Sequence, residues 1–252
     1  YVMKQAEYYG YSGNRVKGLI FCSRIEEANE LSKKFNEYGW RTLALSGADS
    51  EEVRRDAIER LVNDDINELD YILSVDIFSE GVDVPEINQV IMLRPTQSPI
   101  VFIQQLGRGL RKAEDKEYVV ILDFIGNYKN NFMIPIALSG DRSYNKDNVR
   151  KYVVSGNSLI PGASTIHFDE ISKERIFNAV DKMKGMKAFI KESYISLKNR
   201  LGRIPRLIDF YENEEIDPLI IIREYKTYYA MLKSLEKSRF KVSGILRNQF
   251  TK

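Results

Sequence analysis

Hydrophobic and polar positions in the first half of the chain predict a repeated order of strand and helix. Residues 16–23 (VKGLIFCS) form a short apolar run bounded by polar residues, as a strand buried on both faces does. In residues 24–39, Ala28, Leu31, Phe35 and Tyr38 recur three or four apart, which is one face of a helix, and Gly39 suits its C-terminal cap. Residues 41–47 (RTLALSG) read as a second strand. The next stretch is a helix with Ser50 as its N-cap and Val53, Ala57 and Leu61 on one face. LDYILSV and QVIMLR read as strands. Residues 98–111 read as a helix opened by Ser98 and by Pro99 at the first helical position, and YVVILDF as a further strand. Five such alternations predict an α/β fold, a parallel sheet with helices on both faces.

Beyond about residue 140 the pattern changes. SGDRSYNKDN and SGNSLIPGAS are polar and turn-rich, and from about residue 171 the chain reads as helices separated by short breaks. The expected organisation is a linker over 1–14, an α/β domain over 15–140, a connector over 141–170 and a smaller helical domain over 171–252. Charge follows the same division. Residues 1–140 hold 16 Lys and Arg against 22 Asp and Glu, a net of −6, and residues 141–252 hold 22 against 14, a net of +8. Residues 182–206 alone carry eight basic side chains against Glu192, with Lys184, Lys187, Lys191 and Lys198 near one helical face, a pattern suited to a phosphate backbone or to an acidic protein surface. GRIPRLIDFY suits the turn and second helix of a small helix-turn-helix-like unit.

Composition narrows the setting. No apolar run approaches the roughly 18–20 residues of a membrane span, so no membrane role is expected. The lone cysteine, Cys22, cannot form an intramolecular disulfide, which favours a reducing, cytoplasmic compartment. The chain does not begin with Met and reads as part of a longer protein. The one histidine, His167, has no Cys or His near it in sequence, so no metal site is expected there.

Three stretches carry candidate chemistry. QQLGRGLR, residues 104–111, places Gln104, Arg108 and Arg111 on one helical face, and arginine offers a planar fork of donors suited to phosphate. SVDIFSEGVDVP, residues 74–85, puts Glu80, Gly81 and Asp83 beyond the carboxyl end of a strand, where open α/β sheets bind ligands. GLIFCSR ends with Ser23 and Arg24 just past another strand. Taken singly, each also fits an ordinary solvated loop or helix face.

Together and in this order, the three resemble motifs four, five and six of the second RecA-like domain of superfamily two helicases, over about residues 15–125. The E-G-x-D-x-P and Q-Q-x-x-G-R forms look closer to the type III restriction, UvrB-like branch than to the DEAD-box branch. LGRIPRLIDFYENEEIDP is similar to a helical segment of bacterial helicases that carry an N-terminal phospholipase D-like nuclease domain. The resemblance implies a motor half whose arginines reach an ATP held, with Mg2+, mainly by a first RecA-like domain. Arg111 is then the first candidate for an arginine finger, Arg108 shares or braces the γ-phosphate contact, and Gln104 orients water or couples to nucleic acid. Glu80, Gly81, Asp83 and Gly107 fall on the nucleotide side. Ser23, Arg24, Ser46, Gly47 and Ser74 are expected to track nucleic-acid phosphates, with Lys184, Lys187 and Lys191 adding a second grip. DNA is the expected partner, with RNA left open. No G-x-x-x-x-G-K-[ST] loop occurs in the sequence, so the chain alone is expected not to hydrolyse ATP. The competing expectation is a non-catalytic nucleic-acid-binding or protein-interaction module on the same fold.

Overall fold

The computed structural model describes residues 1–75, 84–94, 111, 113–124, 133–141, 145–155, 166–182, 185–213 and 215–236. They fall into two compact units, one within residues 1–124 and the other within 133–236.

The first unit is built on five parallel strands: β1 Gly18–Phe21, β2 Thr42–Leu45, β3 Tyr71–Ser74, β4 Gln89–Met92 and β5 Val120–Asp123. Their order across the sheet is β2-β3-β1-β4-β5, a RecA-like parallel arrangement. Its helices are α1 Val2–Tyr9, α2 Ile25–Glu37 and α3 Glu51–Val62. The step from β1 to β2 runs one way across the sheet and the step from β2 to β3 runs back. Right-handed crossovers therefore place α2 and α3 on opposite faces. On the α2 face, Ile20, Cys22, Tyr71, Leu73, Ile91, Leu93 and Leu122 form one buried cluster with Ala28, Phe35 and Ala6. On the other face, Leu19, Ile72, Val90 and Met92 are buried, as are Ala57 and Leu61 of α3. Strands covered on both sides read as continuous apolar runs, which is why periodicity found them.

Residues 1–14, read as a linker, hold α1, whose Ala6 is buried in the sheet core. A buried polar chain fixes it there. The Tyr71 hydroxyl donates to Gln89 Oε1 at 2.6 Å, and Gln89 Nε2 donates to the Ala6 and Gly10 carbonyls at 3.0 and 2.7 Å. Gln89 is fully buried, so these partners remove the cost of sinking an amide into the core. The Tyr71 ring also fills the space beside Gly18: a Cβ built there would lie 2.2 Å from it.

Two helix faces depart from the periodic expectation. Ala28 and Phe35 are buried, but Tyr38 is 82% exposed, and Val53 is 45% exposed while Ala57 and Leu61 are sunk. Each outlier sits at the end of its helix, where the apolar stripe has run past the sheet. The caps follow expectation. Ser50 Oγ accepts from Val53 N, and Gly39 takes the left-handed conformation, φ 92°, just past α2.

The second unit is helical: α4 Met133–Ser139, α5 Lys146–Ser155, α6 Glu170–Lys182, α7 Met186–Leu201, α8 Leu207–Glu212, α9 Pro218–Tyr225 and α10 Tyr228–Leu235. FDEIS forms the start of α6, with Asp169 accepting from Ser172 N at 2.6 Å. Pro218 occupies the first turn of α9, capped by Asp217. Lys226 breaks the α9–α10 run with φ 68°, a conformation unusual for a side-chain-bearing residue. Among the described residues no helix is long and apolar enough to cross a membrane.

Candidate nucleotide and nucleic-acid interface

Register brings the carboxyl ends of the strands level. Phe21 pairs with Ser74 and Met92, Leu45 with Ser74, and Met92 with Asp123. The turns after β1 and β2 and the last residue of β3 therefore lie on one sheet edge. Because β3 stands between β2 and β1, Ser74 falls between the two turns.

The turn after β1 carries Ser23 and Arg24, both exposed. Ser23 N donates to the Glu27 carboxylate at 3.3 Å. Arg24 is the N-cap of α2 in extended conformation, and its guanidinium has no partner among the described residues. After β2, Ser46 is held inward: its backbone N–H donates to Asp49 Oδ2 at 2.7 Å and its hydroxyl to the same oxygen at 3.2 Å. Gly47 is exposed with open space above its Cα, and its carbonyl accepts from Arg54 at 2.8 Å. Ser74 is 1% exposed, and among the described residues its hydroxyl has no hydrogen-bond partner. So this edge offers Arg24, the Ser23 hydroxyl and the Gly47 backbone to a ligand, while the Ser46 hydroxyl is already engaged and Ser74 is covered.

Arg111 is exposed and precedes β5 in the chain. Gln104, Arg108, Gly107, Glu80, Gly81, Asp83 and Lys184 lie outside the described residues, as does the helix expected over 98–110. Cys22, the residue after β1, is buried. Burial, with the nearby Glu27 charge second, pushes its thiol pKa up to about 12, so it is no nucleophile near neutral pH.

The basic stretch of the second unit separates into two kinds. Lys187 and Lys191 are exposed, and Lys187 lies 5.6 Å from the Tyr225 ring centroid. Lys198, Arg200, Arg203 and Arg206 are answered by buried carboxylates. Lys198 pairs with Glu236, which also accepts from the Tyr194 hydroxyl at 2.8 Å. Arg200 lies 3.2 Å from Glu215, and Arg203 and Arg206 both grip Asp209, which is 1% exposed. Arg203 first, and Arg206 beside it, hold the Asp209 carboxyl well below the usual carboxylate range. Lys198, expected on the phosphate-facing stripe, is thus part of an internal ion pair. In the α10 region Tyr228 is buried with its hydroxyl donating to the Pro205 carbonyl, so packing rather than an open stacking surface occupies it.

Two stretches of the chain match known families. Residues 4–113 match the family described as helicase conserved C-terminal domain, and residues 190–248 match a domain of unknown function, DUF8090. A Saccharomyces cerevisiae protein named as an ATP-dependent helicase, IRC3, is 32% identical over 126 residues, half of this chain and 18% of that protein. The pre-mRNA-splicing ATP-dependent RNA helicase prp28 of Schizosaccharomyces pombe is 27% identical over 104 residues, 41% of this chain and 15% of that protein. A solved structure of Mss116p DEAD-box helicase domain 2 bound to an RNA duplex is 16% identical, with a TM-score of 0.41 over 89% of this chain and 72% of that one. The first unit is thus similar to the helicase conserved C-terminal domain, and its relatives include proteins named as ATP-dependent helicases. The matched stretch spans about a fifth of these relatives or less.

Proposed function

We propose that this chain is the C-terminal motor half of an ATP-dependent helicase or translocase acting on DNA. Arg111, with Arg108 beside it, reaches the γ-phosphate of an ATP bound mainly by a first RecA-like domain elsewhere in the full-length protein. Magnesium is held by that first domain. Gln104 orients water or couples to the nucleic acid, and Glu80, Gly81, Asp83 and Gly107 shape the nucleotide side. The chemistry of the donors fits a phosphate: a guanidinium neutralises charge that develops in the transition state, and such a finger is typically worth about 10³–10⁵ in rate. Arg24, Ser23 and Gly47 contact nucleic-acid phosphates at the strand ends, and Lys187 and Lys191 add contacts from the helical unit. The motif forms favour the type III restriction, UvrB-like branch, with a phospholipase D-like nuclease as an N-terminal companion.

The observation that carries this reading is the level row of strand ends. It presents Arg24, unpaired among the described residues, and the open Gly47 turn on the edge where parallel α/β sheets take ligands. The test is ATP turnover by this chain alone and by the chain joined to its upstream lobe. We expect no turnover alone and nucleic-acid-stimulated turnover when joined. Turnover by the isolated chain would contradict the half-site assignment. Nucleic-acid binding with no turnover in the joined protein would favour a non-catalytic binding module.

A further inference from the structure

Lys116 ties the turn Val84–Ile87 to the turn Ala113–Lys116. Val84–Ile87 is a tight turn closed by Ile87 N donating to Val84 O at 3.3 Å, with Pro85 at its second position. Ala113–Lys116 is another, closed by Lys116 N donating to Ala113 O at 3.2 Å. The Lys116 ammonium crosses from the second turn to the first and donates to the Pro85 carbonyl and, at 2.9 Å, to the Ile87 carbonyl. Asp83 lies two residues before Pro85, and Arg111 lies five before Lys116. The same base is pinned from behind. Asn88 donates to the Ser12 and Arg15 carbonyls at 2.7 and 2.8 Å, and Ser12 Oγ accepts from Glu117 N at 2.8 Å.

A lysine here is a costly choice for a merely structural staple. Lys116 is half-buried, and burial lowers its pKa, with the neighbouring Glu86 charge acting in the opposite direction. Two backbone carbonyls repay an ammonium only if their separation is held, so the contact fixes one turn against the other. The motif chemistry requires such fixing, because a small misplacement of a finger costs orders of magnitude in rate.

We propose that Lys116 is a positioning residue: by bridging the Pro85 and Ile87 carbonyls it fixes the Val84–Ile87 turn against the Ala113–Lys116 turn that follows Arg111, and ATP hydrolysis depends on that spacing. This rests on the arginine reading above. The test compares Lys116→Met, Lys116→Arg and Arg111→Ala in the full-length protein. Turnover of ATP is measured at saturating DNA, together with amide exchange at Ile87, Asn88, Lys116 and Glu117. We expect Lys116→Met to lower kcat about tenfold or more, with KM for ATP and DNA affinity within about twofold, because the tie acts on geometry in the transition state rather than on binding. Exchange should quicken at Ile87 and Lys116, and Lys116→Arg should recover most of the turnover. Unchanged exchange in Lys116→Met would show that there is no tie. Faster exchange with undiminished kcat would reduce Lys116 to a structural residue. Full turnover in Arg111→Ala would instead overturn the arginine reading, and with it the catalytic consequence drawn for Lys116.

Discussion

The two units use charge in opposite ways. In the first, the sheet core is largely apolar, Gln89 within it is hydrogen-bonded, and cations such as Arg24 stand outward at the strand ends. In the second, Lys198, Arg200, Arg203 and Arg206 are turned to Glu236, Glu215 and Asp209, carboxylates that are themselves at least nine-tenths buried. A dense basic stretch is therefore not by itself a phosphate-binding face. The positive charge between residues 198 and 206 is paired with carboxylates that brace the helices, whereas Lys182, Lys187 and Lys191 are exposed. Buried carboxylates with arginine and lysine partners stabilise a small helical unit only while both members are present, since removing one strands the other.

The sharpest break of this contrast comes from the first unit's core. In Gly18→Ala the new methyl group would meet the Tyr71 ring, and both neighbouring strands pair at that register. Overpacking of this kind costs about 3 kcal/mol. The chain's one tryptophan, Trp40, stacks edge-on to Tyr71 at 5.4 Å and reports the change. Its fluorescence transition in urea should move to much lower denaturant, and a midpoint at the parent value would show that the ring yields freely.

A smaller effect is expected from Asp209→Asn, which removes the charge shared by Arg203 and Arg206. The loss of charge-assisted hydrogen bonds should cost about 1–2 kcal/mol and leave the Trp40 transition in place. The pH dependence follows from the same site. The folded pKa of Asp209 is depressed, so its stabilisation is present above the ordinary carboxylate value of about 4 and is lost as pH falls below it toward the folded value. Helical circular dichroism should therefore decline below about pH 4 more steeply in the parent than in Asp209→Asn. Equal acid profiles would mean that other carboxylates govern the unit.

The smallest effect separates the two kinds of lysine. Lys191→Met should leave stability within about 0.5 kcal/mol and reduce the salt slope of DNA binding by about 0.9 for duplex. Lys198→Met should do the reverse, lowering stability by about 1 kcal/mol with the slope unchanged. Identical behaviour of the two variants would erase the distinction.

How much of this was legible in the sequence follows from the physics of each feature. The strands were readable because a parallel sheet covered on both sides needs unbroken apolar runs, as at 18–21 and 71–74. Ser50 and Gly39 were readable because caps have local chemistry. Tyr38 and Val53 misled because periodicity defines a face but not how far along a helix the core extends. The break at Lys226 carries no glycine or proline to announce it. The ion pairs were invisible because their partners are distant in sequence: Lys198 and Glu236 are 38 residues apart. Lys116 was passed over because it sits in RKAEDKEY, which reads as a solvated charged run. Of the candidate site, the strand-end residues were placed by motif order and the structure brings them to one edge, while Gln104, Arg108 and the Glu80–Asp83 turn fall outside the described residues.

The measurement that bears most directly on the central claim is ATP turnover by Arg111→Ala in the full-length protein, with DNA affinity measured in parallel. If Arg111 completes an ATP site built on another lobe, turnover should fall by about 10³ or more while DNA binding stays within about twofold. Turnover within a few-fold of the parent would contradict the account.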